Sequence, residues 1–163
     1  MINTNDPIFF DKHNKNIKKL LKKQGNITCR DKIHDKTLAN SIRKFDYGFA
    51  IIKNKAFGEN NLNINHKYSL VAYILFRIDY LNNTEYIFID LVCSNKNHKN
   101  EHYGTQLLNL CCDYAKKNNI NYIQLHSLNE IGLIEWYMKH GFNIVFPIKL
   151  NDEIKVYLMD KKI

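Results

Sequence analysis

The chain has 163 residues, 45% apolar and 25% charged, with six glycines and two prolines; this composition excludes widespread disorder and fits one domain that buries roughly 70% of its unfolded surface. Twenty-four Lys and Arg against 16 Asp and Glu leave a formal charge of +8, which favours a polyanionic partner: nucleic acid, an acidic surface or a phosphorylated cofactor. The longest apolar runs, such as Tyr68 to Phe76, fall far short of the roughly 20 residues of a membrane helix. The first residues also lack the basic-then-apolar order of a signal peptide, so an intracellular (cytoplasmic) protein without a membrane partner is expected.

Helical spacing comes first along the chain. In Asn16 to Gly25 the apolar residues 17, 20 and 21 share a face and Gly25 is placed to stop the helix; in Asp35 to Phe45 the face is 38, 39, 42 and 45. Asp46 to Lys53 and Tyr68 to Ile78 are rich in β-branched and aromatic residues, bracket a polar loop, and read as strands. Tyr80 to Glu85 supplies turn residues before a third strand, Tyr86 to Val92, so a hairpin is expected between the last two. From Gly104, the residues Leu107, Leu108, Cys111, Tyr114 and Ala115 recur at helical spacing until Asn118 and Asn119. Asn121 to His126 reads as a strand and Glu130 to His140 as a helix with Gly141 as its stop. Phe142 to Leu150 and Ile154 to Asp160 flank Asn151 to Glu153 as a terminal hairpin. The order α-α-β-β-β-α-β-α-β-β needs a right-handed parallel crossover inside a mixed sheet. The expectation is a single α/β (α+β) domain over 1–163, with a helical part at 1–45.

Cys29, Cys93, Cys111 and Cys112 show no CxxC spacing, and the vicinal pair cannot readily bridge within a regular helix, so all four are expected to be reduced packing thiols. Ligands in such sheets gather where strand C-termini face helix N-termini, which here is Leu91 to Thr105. A helix start offers N–H groups and the positive end of a dipole, so Lys99 to Thr105 suits an anionic phosphate, with Lys99 adding a mobile charge. The competing reading is a solvated loop entering a helix.

This segment resembles motif A of the Gcn5-related N-acetyltransferase (GNAT) superfamily, in which Q/R-x-x-G-x-G/A opens a long helix. The matching residues are Lys99, Asn100, Glu101, His102, Tyr103 and Gly104, with Lys99 standing where Gln or Arg is usual and His102 where Gly is usual. Downstream, "LIEWYMKHGF" (Leu133 to Phe142) is similar to the family's helix with a Tyr four residues before a terminal Gly-Phe, and the likeness covers about Tyr68 to Met159. The resemblance implies the acyl-CoA N-acyltransferase fold, with residues 68–159 as its cofactor-binding core. It also implies acetyl-CoA as cofactor, released as coenzyme A. The pyrophosphate would lie on the N–H groups of Asn100 to Thr105 and the pantetheine along Leu91, Val92 and Cys93. Tyr137 carries over as the residue that protonates the departing thiolate.

An amine that attacks a thioester must lose a proton, because an alkylamine with pKa about 10.4 is neutral only about once in a few thousand molecules at pH 7. Asp90, near the end of its strand, is the candidate base, with a buried carboxylate satisfied by its neighbours as the other reading. Tyr137 reads otherwise as an aromatic in a buried stripe beside Trp136. The N–H of Val92 or Cys93 is a candidate for stabilising an oxyanion. The resemblance implies a primary amine of a small molecule or a protein as acceptor. The alternative is a basic nucleic-acid- or partner-binding module on a catalytically degenerate fold, which rests on the lysines of Lys15 to Gln24. No metal is expected, because nothing completes a zinc set around His98 and His102. Edge strands of the terminal hairpin leave pairing of two copies as a homodimer open.

Overall fold

The computed structural model describes residues 6–29, 35–54, 68–95, 97, 101–150 and 152–163. Its elements are β1 (Ile8–Asp11), α1 (Lys15–Thr28), α2 (Asp35–Lys44), β2 (Tyr47–Asn54), β3 (Tyr68–Leu81), β4 (Thr84–Ser94), α3 (Tyr103–Lys117), β5 (Tyr122–Leu128), α4 (Ile131–Lys139), β6 (Asn143–Leu150) and β7 (Glu153–Lys162). The strands run in the order β1-β2-β3-β4-β5-β7-β6, with β4 and β5 parallel and the pairs β1/β2, β5/β7 and β6/β7 antiparallel. This is the mixed α/β architecture that the element order requires. The chain packs as two units, Met1–Leu75 with Leu91–Leu108 and Phe76–Asp90 with Asn109–Ile163.

In the first unit, α1 begins where the Asn14 side chain accepts the Ile17 N–H at 3.1 Å, a side-chain cap for one of the donors a helix start leaves over. Ile17 and Leu21 turn into a core with Leu38, Ile42, Phe45, Leu70, Tyr73 and Leu75; full burial of each large side chain contributes about 1.5–3 kcal/mol. Gly25 does not end this helix, contrary to its reading as a stop. Packing decides the position instead: a Cβ on Gly25 would lie 2.9 Å from Leu38 Cδ2 and 3.4 Å from the Tyr73 hydroxyl. The last turn is stitched to β3, since Gln24 Oε1 accepts the Leu70 N–H at 2.8 Å and the Thr28 hydroxyl donates to Leu70 O at 2.9 Å.

The expectation of four reduced cysteines needs correction. Cys29, just past α1, and Cys93, on β4, form a disulfide with Cα atoms 4.7 Å apart at a sequence separation of 64. Cys111 and Cys112 are free and buried, and burial, then the neighbouring Cys112, raise the pKa of Cys111 well above the thiol range. The short strand β1 is a further addition to the expected elements. It pairs with β2 in the register Ile8↔Ala50 to Asp11↔Tyr47. Gly48 admits it, because a Cβ there would meet Ile74 O and the Phe10 ring, each at 2.5 Å.

In the second unit the β3–β4 turn is two residues long, Asn82 and Asn83, with φ of 49° and 63°. Left-handed conformations at both central positions match the right-handed twist of a hairpin, and Asn tolerates them. Parallel pairing sets Ile87 against Ile123 and Ile89 against Leu125; all four are buried. Period-two alternation therefore puts Phe88, Asp90, Gln124 and His126 on the opposite face. Both helix ends here use one device. At α4, Phe142 N–H reaches Tyr137 O (3.1 Å) and Gly141 N–H reaches Met138 O (2.9 Å), with Gly141 at φ 84°. At α3, Ile120 N–H reaches Ala115 O (2.9 Å) and Asn119 N–H reaches Lys116 O (3.2 Å), with Asn119 at φ 58°. These are Schellman closures, with Gly and Asn supplying the left-handed residue.

Candidate active site

In the first unit, the end of β4 presents Leu91 and Val92 half-buried and Cys93 buried in its disulfide. The strand end is fixed, since Asn95 N–H donates to Val71 O at 2.8 Å. Lys99 and Asn100 lie outside the described residues. Beyond them, His102 caps α3, its carbonyl accepting the Gln106 N–H at 3.1 Å, and its φ is 51°. This is the left-handed region where glycine has no Cβ penalty, and it falls at the motif position where the resemblance has Gly. The backbone here is left-handed while the side chain is not glycine. His102→Gly is therefore expected to stabilise the protein by about 1 kcal/mol in urea unfolding, the αL cost of a non-glycine residue less the entropy glycine loses. A destabilised variant would show that the imidazole makes a contact worth more than the strain.

Glu101 and Tyr103 flank His102 and are tied to β2. Lys53 Nζ lies 2.7 Å from Glu101 Oε2 and 5.3 Å from the Tyr103 ring centroid, and the Tyr103 hydroxyl donates to the same Glu101 carboxylate. Tyr103 is buried, while Gly104 and Thr105 are half-buried in the first turn. N–H groups of a first helical turn converge toward an anion.

In the second unit, Asp90 is ion-paired with Arg77, and its side chain is only 10% exposed. Arg77 also reaches Asp79 at 3.5 Å and covers the Phe88 ring at 4.3 Å. The other side of this group is His126, edge-on to Phe88 with centroids 5.1 Å apart. Partial burial, then the Arg77 charge, lower the His126 pKa below the usual imidazole value, with Asp90 opposing. Its imidazole is therefore neutral at pH 7 and solvent-accessible, able to accept a proton.

Tyr137 sits in α4 at the third position from the helix end, buried between Trp136 (4.8 Å between centroids) and Phe142 (5.7 Å). The Phe142 contact is the hydrophobic partner that accompanies a Schellman closure. Burial raises the phenol pKa above its ordinary value, so the hydroxyl stays a hydrogen-bond donor at every physiological pH.

Of the residues expected from sequence, the first unit holds the β4 end and Glu101 to Thr105, and the second holds Asp90 and Tyr137. Lys53, Arg77 and His126 were not assigned to the transfer chemistry. The alternating pattern of β5 carries a signal for His126, since it falls at a position turned away from the buried Ile123, Leu125 and Ser127. Among the described residues no group of three or more His, Cys, Asp or Glu could hold a metal ion, and no helix is long and apolar enough to cross a membrane.

Comparison with known proteins adds a family. The model described as Acetyltransferase (GNAT) family matches residues 28–142. A search of curated proteins finds no match. Among solved structures, a chain of the NatC complex bound to Gag peptide and CoA is similar at TM-score 0.70 and 11% identity, over 97% of this chain and 99% of that one. Arabidopsis thaliana Naa50 with the bisubstrate analogue CoA-Ac-MVNAL gives TM-score 0.64 at 20% identity, over 95% and 97%. Aminoglycoside 6'-acetyltransferase type Ii gives 0.66 at 16%, over 96% of each. At these identities the likeness shows a shared fold.

Proposed function

The chain belongs to the Acetyltransferase (GNAT) family, and from that premise we propose that it moves an acetyl group from acetyl-CoA to a primary amine, both reactants being bound together. The observation that carries this reading is His102, whose backbone takes the left-handed conformation that favours glycine at the motif position where the resemblance has Gly. The residues present fit the cofactor: N–H groups from Glu101 to Thr105 would hold its pyrophosphate, and the backbone of Leu91, Val92 and Cys93 its pantetheine. When bound, acetyl-CoA supplies an acetyl group activated as a thioester.

The chain's own groups handle the protons. Tyr137, kept neutral by burial, donates a hydrogen bond to the departing sulfur. Asp90 was the base expected from sequence, but taking a proton would cost it the ion pair with Arg77. His126, neutral and accessible on the same face of β4 and β5, receives the amine proton at less cost, with Asp90 and Arg77 fixing the charge around it. Solved relatives with peptide-bearing and aminoglycoside-directed names support an acceptor amine on a polypeptide N-terminus or a small molecule.

Calorimetric titration of acetyl-CoA into the purified protein tests the reading, followed by a panel of free-N-terminus peptides and aminated small molecules. Binding at micromolar Kd, with coenzyme A released on adding one acceptor class, is the expected result. Absence of heat with acetyl-CoA, together with salt-sensitive retention on RNA, would instead support a degenerate fold docking nucleic acid through the exposed Lys15, Lys19, Lys22 and Lys23 of α1.

A further inference from the structure

The loop that would take the pyrophosphate carries a carboxylate of its own, Glu101, immediately before the left-handed residue. An uncompensated carboxylate there repels a diphosphate and lets the loop swing. Lys53 lies 2.7 Å from it and Tyr103 donates to the same group, so its charge is met within the protein. Lys53 comes from the end of β2 and not from the loop, so the turn before α3 is braced from a separate strand. The same ammonium lies 5.3 Å from the Tyr103 ring centroid, which ties the residues on both sides of His102 to one anchor. A pair with side chains 28% and 40% exposed adds little to global stability, so its effect is local.

We propose that Lys53 is the positioning residue of the cofactor loop, cancelling the Glu101 charge and fixing the backbone of residues 101–105 in the conformation that accepts a pyrophosphate. This rests on the acetyl-transfer reading above. It assigns specificity as well: the loop should favour the diphosphate-bearing acyl-CoA over an acyl-pantetheine that lacks phosphates, by a margin that depends on Lys53.

The test uses the full chain as wild type, Lys53→Met, Lys53→Arg and the double variant Lys53→Met with Glu101→Gln. Amide hydrogen exchange without cofactor reports the loop, and calorimetry with acetyl-CoA and with acetyl-pantetheine reports the charge. Lys53→Met is expected to speed exchange across residues 102–106 about tenfold with β5 to β7 unchanged, and to weaken acetyl-CoA, but not acetyl-pantetheine, about tenfold. Lys53→Arg should restore both to within about threefold, and the double variant should recover about threefold of the lost affinity, the part due to the Glu101 charge, while its exchange stays fast because the loop is still unanchored. Unchanged exchange and affinity in Lys53→Met overturn the proposal and leave the acetyl-transfer reading intact. A double variant as weak as Lys53→Met also overturns it, because the Glu101 charge would then not be what Lys53 cancels. Wild-type protein that binds no acetyl-CoA overturns the acetyl-transfer reading, and the role of Lys53 in it falls too.

Discussion

Reduction of the Cys29–Cys93 bridge is expected to lower the free energy of unfolding by about 4 kcal/mol, the loop-closure contribution for a 64-residue separation. That is a large share of the roughly 5–15 kcal/mol that holds an ordinary domain folded. The effect acts on the unfolded chain. In the folded protein Cys29 and Cys93 are buried at 5% and 3% exposure, and the thiols would stay in a core already closed by Tyr73, whose hydroxyl lies 3.1 Å from Cys29 Sγ and 3.2 Å from Gly25 O. Released from the cross-link, the unfolded ensemble expands over α2, β2 and β3. Urea unfolding with and without reductant should therefore show a lower midpoint and a steeper slope after reduction, since more surface is exposed. Peptide mapping of the oxidised protein should recover the 29–93 cross-linked pair. Two free thiols at these positions, or an unchanged midpoint in reductant, would sink the prediction.

Sequence periodicity located the crossover β4–α3–β5 because its apolar residues are long-range only in the sense of facing one sheet; their spacing is local. The stops at Asn119 and Gly141 were legible for the same reason, each being a left-handed residue placed one step past a periodic run. Gly25 misled because the same residue type serves two purposes: here it makes room for Leu38 and does not end a helix. Strand β1 has four residues and only Phe10 buried, so it exists through its pairing with β2 and has little pattern of its own. The Cys29–Cys93 bond and the Lys53–Glu101 pair join positions 64 and 48 apart, and no local rule connects such residues. At the candidate site, the motif resemblance named the loop and Tyr137, and backbone geometry then accounts for His102. The Arg77–Asp90 pair could not be read from spacing across a hairpin whose register depends on the two-residue turn at Asn82 and Asn83.

Tyr137→Phe is the substitution expected to cost most in turnover: kcat down about 100-fold with KM for acetyl-CoA unchanged, the range for removing a positioned proton donor. Tyr137 has a second, structural duty, since its carbonyl accepts the Phe142 N–H at 3.1 Å and its ring packs on Trp136 and Phe142. Phenylalanine keeps the carbonyl and the ring, so stability should change by less than about 1 kcal/mol, whereas Tyr137→Ala should lose about 3–5 kcal/mol and would test only folding. The pH profile separates the two groups proposed to handle protons. Burial raises the Tyr137 pKa, so the donor stays protonated as pH rises and sets no basic limb below about pH 10. Burial and Arg77 lower the His126 pKa, so the neutral base persists as pH falls and the acidic limb lies below the ordinary imidazole value of about 6.5. His126→Gln should remove that limb together with most of the rate, while Tyr137→Phe keeps it at a lower plateau. A phenylalanine variant that turns over like wild type would leave Tyr137 as the residue that closes α4 and nothing more, and the leaving sulfur would then depart without a proton donor from this helix.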